Sequence, residues 1–170
     1  MKNAKLLFRI ANFFNPAAIL QIGTSYGVST TALLDVSSGS GLVIYPGHSA
    51  HPDVYDKVTH RYGNRITPCG SIAEATSTYF DMLSDDKSPF ILINSIDSED
   101  EKDRLHSFVL DMLGRNGTVI LRNLTKSRLI ADLLSSLDGA LDHGMTFTNG
   151  NIAVIVGYRH LPRQSFLLWY

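Results

Sequence analysis

The chain has 170 residues, about the size of one domain and enough to bury a hydrophobic core without disulfides or metals. Its 15 basic and 16 acidic side chains nearly cancel, so the composition excludes an electrostatic attraction to nucleic acid or to an anionic membrane. The single cysteine, Cys69, excludes an intramolecular disulfide framework and a thiolate zinc cluster. The N-terminus lacks a signal-peptide pattern and no apolar run is long enough to span a membrane, so we expect a soluble cytoplasmic protein.

The first half of the chain alternates between predicted helices and strands. Apolar residues at helical spacing predict a first helix that ends at Asn15-Pro16. The elements predicted next are a strand at 19–22, a helix at about 28–36, a strand at 42–45, a helix with its apolar face on Val54, Val58 and Tyr62, a strand at 65–69, and a helix at 73–83.

The second half begins with the same alternation. A strand at 89–93 precedes the sequence 98–101, which has the capping-box form that begins a helix. A strand at 118–121 and a helix over 129–137 follow, so we predict a parallel, doubly wound α/β sheet with helices on both faces. The runs at 145–148 and 152–156 flank an Asn-Gly turn, which predicts a closing antiparallel hairpin.

The chain shows neither internal repeats nor a linker. We therefore predict one domain over 1–170, with a short N-terminal helix at 1–14, an α/β core at 17–157 and a C-terminal tail at 158–170. The tail ends in the sequence 166–170, which is too apolar to stay in solvent. It either docks onto its own fold or contacts a second copy in a homodimer.

The most informative stretch is 17–30, where a short apolar run leads into a loop with Gly23 and Gly27 and then into a helical pattern. This arrangement predicts a tight turn at the carboxyl end of the first strand, where ligands bind in open α/β sheets and glycine lets the backbone approach a cofactor. The two glycines are also explained by the turn alone, because the fold needs such a turn with or without a ligand. The three-glycine spacing of a nucleotide-binding dehydrogenase is absent.

The order of elements, the glycine turn and the hairpin resemble the class I S-adenosylmethionine-dependent methyltransferases, and most closely the small-molecule O-methyltransferases of the catechol type. The segment 19–30 resembles their first motif, 91–94 their fourth strand and 117–123 their fifth. The resemblance implies a mostly parallel Rossmann-like sheet that binds S-adenosylmethionine and serves methyl transfer to a small-molecule acceptor. The residues it implies for the cofactor site are Gln21, Gly23, Thr24, Ser25, Tyr26, Gly27, Tyr45, Ser71 and Asn94.

The chain departs from the family where the family carries acids. Gln21 stands where an acidic residue precedes the first glycine, Tyr45 where a carboxylate binds the ribose, and Ser71 where an Asp often follows glycine. Losing a charged acceptor costs about 1.5–3 kcal/mol, so two losses weaken a ligand roughly a hundredfold to ten-thousandfold. The sequence therefore favours either a methyltransferase with a weakened cofactor site or an inert relative that keeps the fold as a binding or oligomerisation module.

Metal-dependent members of the family bind a divalent cation through an Asp after strand four and an Asp-Asn pair after strand five. The counterparts here are Asn94, Arg122 and Asn123. Hard cations need negatively charged oxygen ligands, and Arg122 brings a positive charge, so we predict no metal site of this type. Arg122 itself either binds an acidic ligand or pairs with Asp97 or Asp100.

Other side chains leave further chemistry open. His48 and His51, with Asp53 nearby, could bind a transition metal, but loop histidines without a third certain ligand are usually just solvated. A histidine could also act as a general base. Cys69, at the end of the third strand, is expected to be a buried filler, because no helix start or basic partner is evident. The sequence assigns no catalytic residue.

Overall fold

The computed structural model describes residues 2–24, 26–47, 51–84 and 86–168. The chain forms two compact units, unit 1 over Met1–Lys87 and unit 2 over Ser88–Tyr170. The assignment of 1–170 to one domain stays a prediction. Among the described residues, no helix combines the length and apolar character that crossing a membrane requires.

Unit 1 contains a parallel three-stranded sheet. Its helices are α1 (Lys2–Phe14), α2 (Val28–Leu34), α3 (Pro52–Thr59) and α4 (Ile72–Met82), with a 3-10 helix at His60–Arg65. Its strands are β1 (Ala18–Ile22), β2 (Gly41–Tyr45) and β3 (Ile66–Pro68). β2 pairs with β1 on one side and with β3 on the other, and every residue of β1 is buried, as expected for a parallel strand covered on both faces.

The helices of unit 1 begin and end where local chemistry requires. α1 packs through Leu7 and Ala11, which are fully buried, and it ends before Pro16, which disfavours helical backbone in the residue preceding it. The predicted apolar face of α3 is partly wrong, because Val54 and Val58 are exposed and only Tyr62, in the 3-10 helix, is buried. The helix is short, and it turns a more polar face inward instead.

Unit 2 contains a mixed five-stranded sheet. Its helices are α5 (Glu99–Gly114) and α6 (Arg128–Ala140), and its strands are β4 (Phe90–Ile93), β5 (Thr118–Arg122), β6 (Met145–Thr148), β7 (Ile152–Val156) and β8 (Gln164–Leu167). β4 and β5 are parallel, β7 runs antiparallel to both β5 and β6, and β8 is parallel to β6. The predicted hairpin is confirmed, and its turn has Gly150 at φ 84°, a backbone conformation that favours glycine.

α5 packs closely against the end of β7. Ser98 caps the helix by accepting a hydrogen bond from the Glu101 N–H (3.2 Å), which confirms the predicted capping sequence. Leu105, Val109 and other apolar residues of this helix are fully buried. At Gly157 a Cβ atom would lie 2.4 Å from the carbonyl oxygen of Leu113, so this approach requires glycine.

The C-terminal tail supplies a strand that the sequence did not predict. β8 pairs with β6, and the ring of Phe166 stacks on that of Phe147 with centroids 5.2 Å apart. The prediction that the apolar end of the tail docks onto its own fold is therefore confirmed for 166–168. Leu167 and Leu168 remain 55% and 43% exposed, while the last two residues lie outside the described part of the chain. The homodimer contact stays a prediction.

Candidate functional site

The turn between β1 and α2 requires its two glycines. Gly23 and Gly27 both have φ of 78°, in the left-handed region that glycine adopts without strain. A Cβ atom on Gly27 would also lie 3.0 Å from Cγ2 of Thr59. The N–H of Gly23 donates to the carbonyl of Tyr45 (2.8 Å) and that of Thr24 to the carbonyl of Pro46 (3.1 Å). The pairing of β1 with β2 thus continues past both strands and uses two N–H groups of the turn.

The buried side chain of Gln21 stabilises this turn through two hydrogen bonds. It is 1% exposed; its Nε2 donates to the carbonyl oxygen of Gly23 (3.0 Å), and its Oε1 accepts a hydrogen bond from Oγ1 of Thr30 (3.1 Å). An amide matches both partners because it donates and accepts, whereas an ionised carboxylate only accepts. Gln21, predicted from the resemblance to belong to the cofactor site, is thus bonded to the turn and to α2.

A pocket of about 490 Å³ lies beside the turn, entirely within unit 1. Its lining is mainly apolar and consists of Thr24, Ile44, Pro46, Pro52, Tyr55, Asp56, Thr59, His60, Gly63, Ile66 and Pro68. Pockets of this size accommodate small organic ligands, and they typically combine an apolar lining with a few polar groups. Thr24 and Pro46 bring the residues that follow β1 and β2 to the edge of this space.

Tyr55 provides a buried polar group at this pocket. Its hydroxyl lies near the hydroxyls of Thr30 and Thr59, yet it makes no hydrogen bond of normal geometry with a described residue. Burial raises the pKa of Tyr55, and the neighbouring threonine hydroxyls oppose that effect only in part. The phenol is therefore neutral at physiological pH and can donate a hydrogen bond.

Tyr26 and His51 form an exposed pair on the loops that follow β1 and β2. Their rings stack with centroids 4.4 Å apart, and the Tyr26 hydroxyl lies 2.8 Å from Nε2 of His51. Ser25 and His48 lie outside the described residues, so the structure says nothing of their predicted roles. The pair is open to solvent, since Tyr26 is 48% exposed.

The other residues predicted in unit 1 have local roles. Tyr45 is the half-buried last residue of β2, and its carbonyl receives the N–H of Gly23. Ser71 caps α4, since its Oγ accepts a hydrogen bond from the Glu74 N–H (3.1 Å). Cys69 is buried as expected, and burial raises the pKa of its thiol, which keeps the thiol protonated and unreactive.

Asn94, Arg122 and Asn123 meet at the carboxyl ends of β4 and β5 in unit 2. Nη1 of Arg122 donates to Oδ1 of Asn94 (3.0 Å), and Nδ2 of Asn123 donates to the backbone oxygen of Asn94 (2.9 Å). Asn123 has φ of 65°, a left-handed conformation that asparagine tolerates better than most residues. Burial lowers the pKa of Arg122, but a guanidinium stays charged at physiological pH. We call these three residues the amide–guanidinium cluster.

This cluster does not fit a divalent cation. Its side-chain oxygens belong to neutral amides, and that of Asn94 already accepts from a cation. Within the described ranges, no group of three or more His, Cys, Asp or Glu side chains is placed to bind a metal ion. Asp100, a predicted partner of Arg122, pairs instead with Arg104 (2.9 Å).

The sequence pattern did not predict the residues of α3 that line the pocket. The apolar spacing pointed to Val54 and Val58, whereas Tyr55 and Thr59 face the pocket. The available signal was the pair of prolines, Pro46 and Pro52, which bracket the loop and restrict its backbone beside the turn.

No family model matches this chain, and no curated protein sequence matches it. Solved structures match it in three dimensions. One is a proposed caffeoyl-CoA O-methyltransferase from Staphylococcus aureus, with a TM-score of 0.67 and 16% identity over 92% of this chain and 83% of that chain. An O-methyltransferase from Bacillus cereus, in complex with S-adenosylhomocysteine, has a TM-score of 0.64 and 18% identity over 91% and 80% of the two chains.

A third match is the O-methyltransferase TomG from Streptomyces achromogenes, in complex with S-adenosylmethionine. Its TM-score is 0.63 and its identity 14%, over 91% of this chain and 79% of that chain. At these identities the matches establish the fold and not the activity. The predicted fold class, a mostly parallel Rossmann-like methyltransferase fold with an antiparallel hairpin, is thereby confirmed.

Proposed function

We propose that this protein is a metal-independent methyltransferase of the cytoplasm that uses S-adenosylmethionine and acts on a small-molecule acceptor. The observation that carries the proposal is the ligand-sized pocket beside the left-handed glycine turn after β1. In α/β sheets, ligands bind outside the carboxyl ends of the strands, which is where Thr24 and Pro46 line this pocket. Solved structures of the same fold include complexes with S-adenosylmethionine and S-adenosylhomocysteine, which supports this choice of ligand.

The pocket suits one end of the cofactor better than the other. Its apolar lining favours a planar heteroaromatic group. The N–H groups of Gly23 and Thr24 already donate to the carbonyls of Tyr45 and Pro46, so the turn offers few backbone donors to a charged amino-acid group. When bound, S-adenosylmethionine supplies a methyl group on a positively charged sulfur. Because the turn offers few donors, we propose that the protein binds S-adenosylmethionine with a Kd in the micromolar range or weaker.

A second candidate function is that of an inert binding or oligomerisation module with this fold. The observation that favours it is that the polar groups of the turn are satisfied within the protein, through the bonds of Gln21, Gly23 and Thr24. The two candidates differ in whether the pocket binds the cofactor at all.

Calorimetric titration with S-adenosylmethionine and S-adenosylhomocysteine separates the two candidates. The methyltransferase proposal expects binding by the native protein, and loss of binding in Ile66→Trp, whose indole occupies the pocket that Ile66 lines. The matched control is Val54→Trp, because Val54 is exposed on α3 and does not line the pocket. Melting curves of both variants check that each remains folded.

A third variant, Tyr45→Asp, introduces the carboxylate that the methyltransferase resemblance implies at the end of β2. If the pocket binds the ribose-bearing cofactor, the variant binds S-adenosylmethionine about tenfold more tightly or better, because a charged acceptor is gained. The absence of binding to the native protein, combined with no gain in Tyr45→Asp, would contradict the methyltransferase proposal and favour the inert module.

A further inference from the structure

One wall of the pocket in unit 1 is a single helical face. The residues of α3 and of the following 3-10 helix that line the pocket recur three or four positions apart, at 52, 55, 56, 59, 60 and 63. Residues at this spacing lie on the same side of a helix. Most of them are apolar or carry a neutral hydroxyl, whereas Asp56 carries a carboxylate.

Asp56 gives this wall a negative charge. Among the described residues that line the pocket, it is the only acid, and neither Lys nor Arg is present. The ion pairs formed between described residues do not involve Asp56. The residue is exposed, so its charge stays hydrated at the open side of the pocket and costs little to maintain.

The charge of Asp56 acts on the lining of the pocket. Tyr55, on the same wall, has a pKa that is raised mainly by burial, and the carboxylate of Asp56 adds to this increase because it disfavours a second negative charge nearby. The same effect applies to a bound ligand, since a carboxylate repels an anion and attracts a cation. An apolar lining strengthens both interactions because it leaves less water between the charges.

We propose that Asp56 selects the ligand of this pocket by charge, so that the pocket binds a cationic or uncharged aromatic molecule of nucleoside size and rejects an anionic one such as a nucleotide. A volume of about 490 Å³ and a mainly apolar lining fit such a molecule. This ligand class follows from the pocket alone. Its consequence for S-adenosylmethionine, whose positive sulfur Asp56 favours over the neutral sulfur of S-adenosylhomocysteine, rests on the proposed function.

The binding test compares three nucleosides that differ mainly in the charge of one substituent: the cationic 5′-amino-5′-deoxyadenosine, the neutral adenosine and the anionic adenosine 5′-monophosphate. Each is titrated into the full-length protein by calorimetry at about pH 7.5, where an ordinary histidine is mostly uncharged. We expect the amine to bind about tenfold or more tightly than the monophosphate, with adenosine between them. The difference should decrease as the salt concentration rises.

A pair of variants on α3 tests the role of Asp56. Asp56→Asn removes the charge at nearly constant size, so it should weaken binding of the amine about threefold, tighten binding of the monophosphate about threefold and change that of adenosine by less than about twofold. The matched control is Asp53→Asn, because Asp53 is an exposed acid of the same helix that does not line the pocket. It should leave the order and spacing of the three affinities unchanged, and melting curves check that both variants are folded.

Four results would each overturn the inference. They are equal affinity of the native protein for the three nucleosides, tightest binding of the monophosphate, binding of none of them at millimolar concentration, and a charge preference that persists in Asp56→Asn.

The two proposals fail separately. In the cofactor titrations, Asp56→Asn should weaken binding of S-adenosylmethionine more than that of S-adenosylhomocysteine. A charge preference that depends on Asp56, in a protein that does not bind S-adenosylmethionine, would contradict the proposed function alone. Binding of S-adenosylmethionine without a charge preference among the nucleosides would contradict the selection by Asp56 alone.

Discussion

Two regions lie where the family resemblance implies acidic residues: the turn after β1 in unit 1 and the amide–guanidinium cluster in unit 2. Different residue types occupy the acidic positions in the two regions. At the turn, Gln21 is buried and bonded on both sides to its own chain. At the cluster, Arg122 brings a charge of the opposite sign and keeps it partly accessible. The first replacement bonds an amide to the turn and to α2, whereas the second joins the ends of two strands through a guanidinium.

The two regions differ in what remains where the acids are replaced. Unit 1 keeps a pocket of about 490 Å³ beside the turn, although the N–H groups of Gly23 and Thr24 are hydrogen-bonded within the protein. Unit 2 keeps polar groups at the strand ends, but these groups bond to one another and their side-chain oxygens belong to neutral amides. Variants that act on one unit at a time test whether this contrast is real.

The largest effect is expected from Gln21→Glu, which restores the acid that the resemblance implies. A buried carboxylate cannot donate to the carbonyl of Gly23, so we expect a loss of about 3 kcal/mol of stability at neutral pH. Burial raises the pKa of this carboxyl, so the folded variant binds more protons than its unfolded chain. Relative to the native protein, its stability therefore falls as pH rises above about 4.3, the unfolded pKa of Glu, and levels off above the folded pKa.

Denaturant unfolding of both proteins from acidic to neutral pH measures this difference. The control is Thr30→Val, which removes the donor to Oε1 of Gln21 without adding a titrating group, so its cost should be about 1 kcal/mol at every pH. A Gln21→Glu variant as stable as the native protein at neutral pH would show that the turn does not depend on the amide.

Gly27→Ala tests the same turn through its backbone. The left-handed conformation and the 3.0 Å approach to Thr59 predict a loss of about 2 kcal/mol of stability. Thermal unfolding with Gly139→Ala as the control separates this from a general effect of removing glycine. A Cβ on Gly139 meets nothing within 4 Å and the residue lies within α6, so that substitution should raise stability by about 0.5–1 kcal/mol. Equal effects of the two substitutions would contradict the requirement for glycine at the turn.

Much of the fold could be predicted because local patterns agree with tertiary packing. The buried runs that form β1, β4 and β5, the cap of α5 and the Asn-Gly hairpin are local signals that packing reinforces. β8 could not be predicted in the same way. Its residues are exposed on an edge, and what makes them a strand is pairing with β6 rather than an alternating pattern of their own.

The site was less predictable than the fold, because spacing along the chain does not reveal which hydrogen bonds are made. The sequence places Gln21 beside the glycines, but only the fold shows which hydrogen bonds its amide makes. Its oxygen accepts from Thr30, and its nitrogen donates to the carbonyl of Gly23. The inward face of α3 was missed for a similar reason. Tyr55 and Thr59 are too polar to be recognised as buried by periodicity, yet they lie against the turn because Gly27 leaves room for them.

The smallest effect is expected from Asn123→Gly, which acts on the cluster in unit 2. Glycine adopts φ of 65° freely, so the substitution removes only the hydrogen bond to the backbone of Asn94, at a cost of about 1 kcal/mol. Asn123→Ala loses the same bond and adds left-handed strain, so it should be about 1 kcal/mol less stable again. Chemical denaturation of the two variants measures this order. An Asn123→Gly variant as stable as the native protein would contradict a contribution of this hydrogen bond to stability.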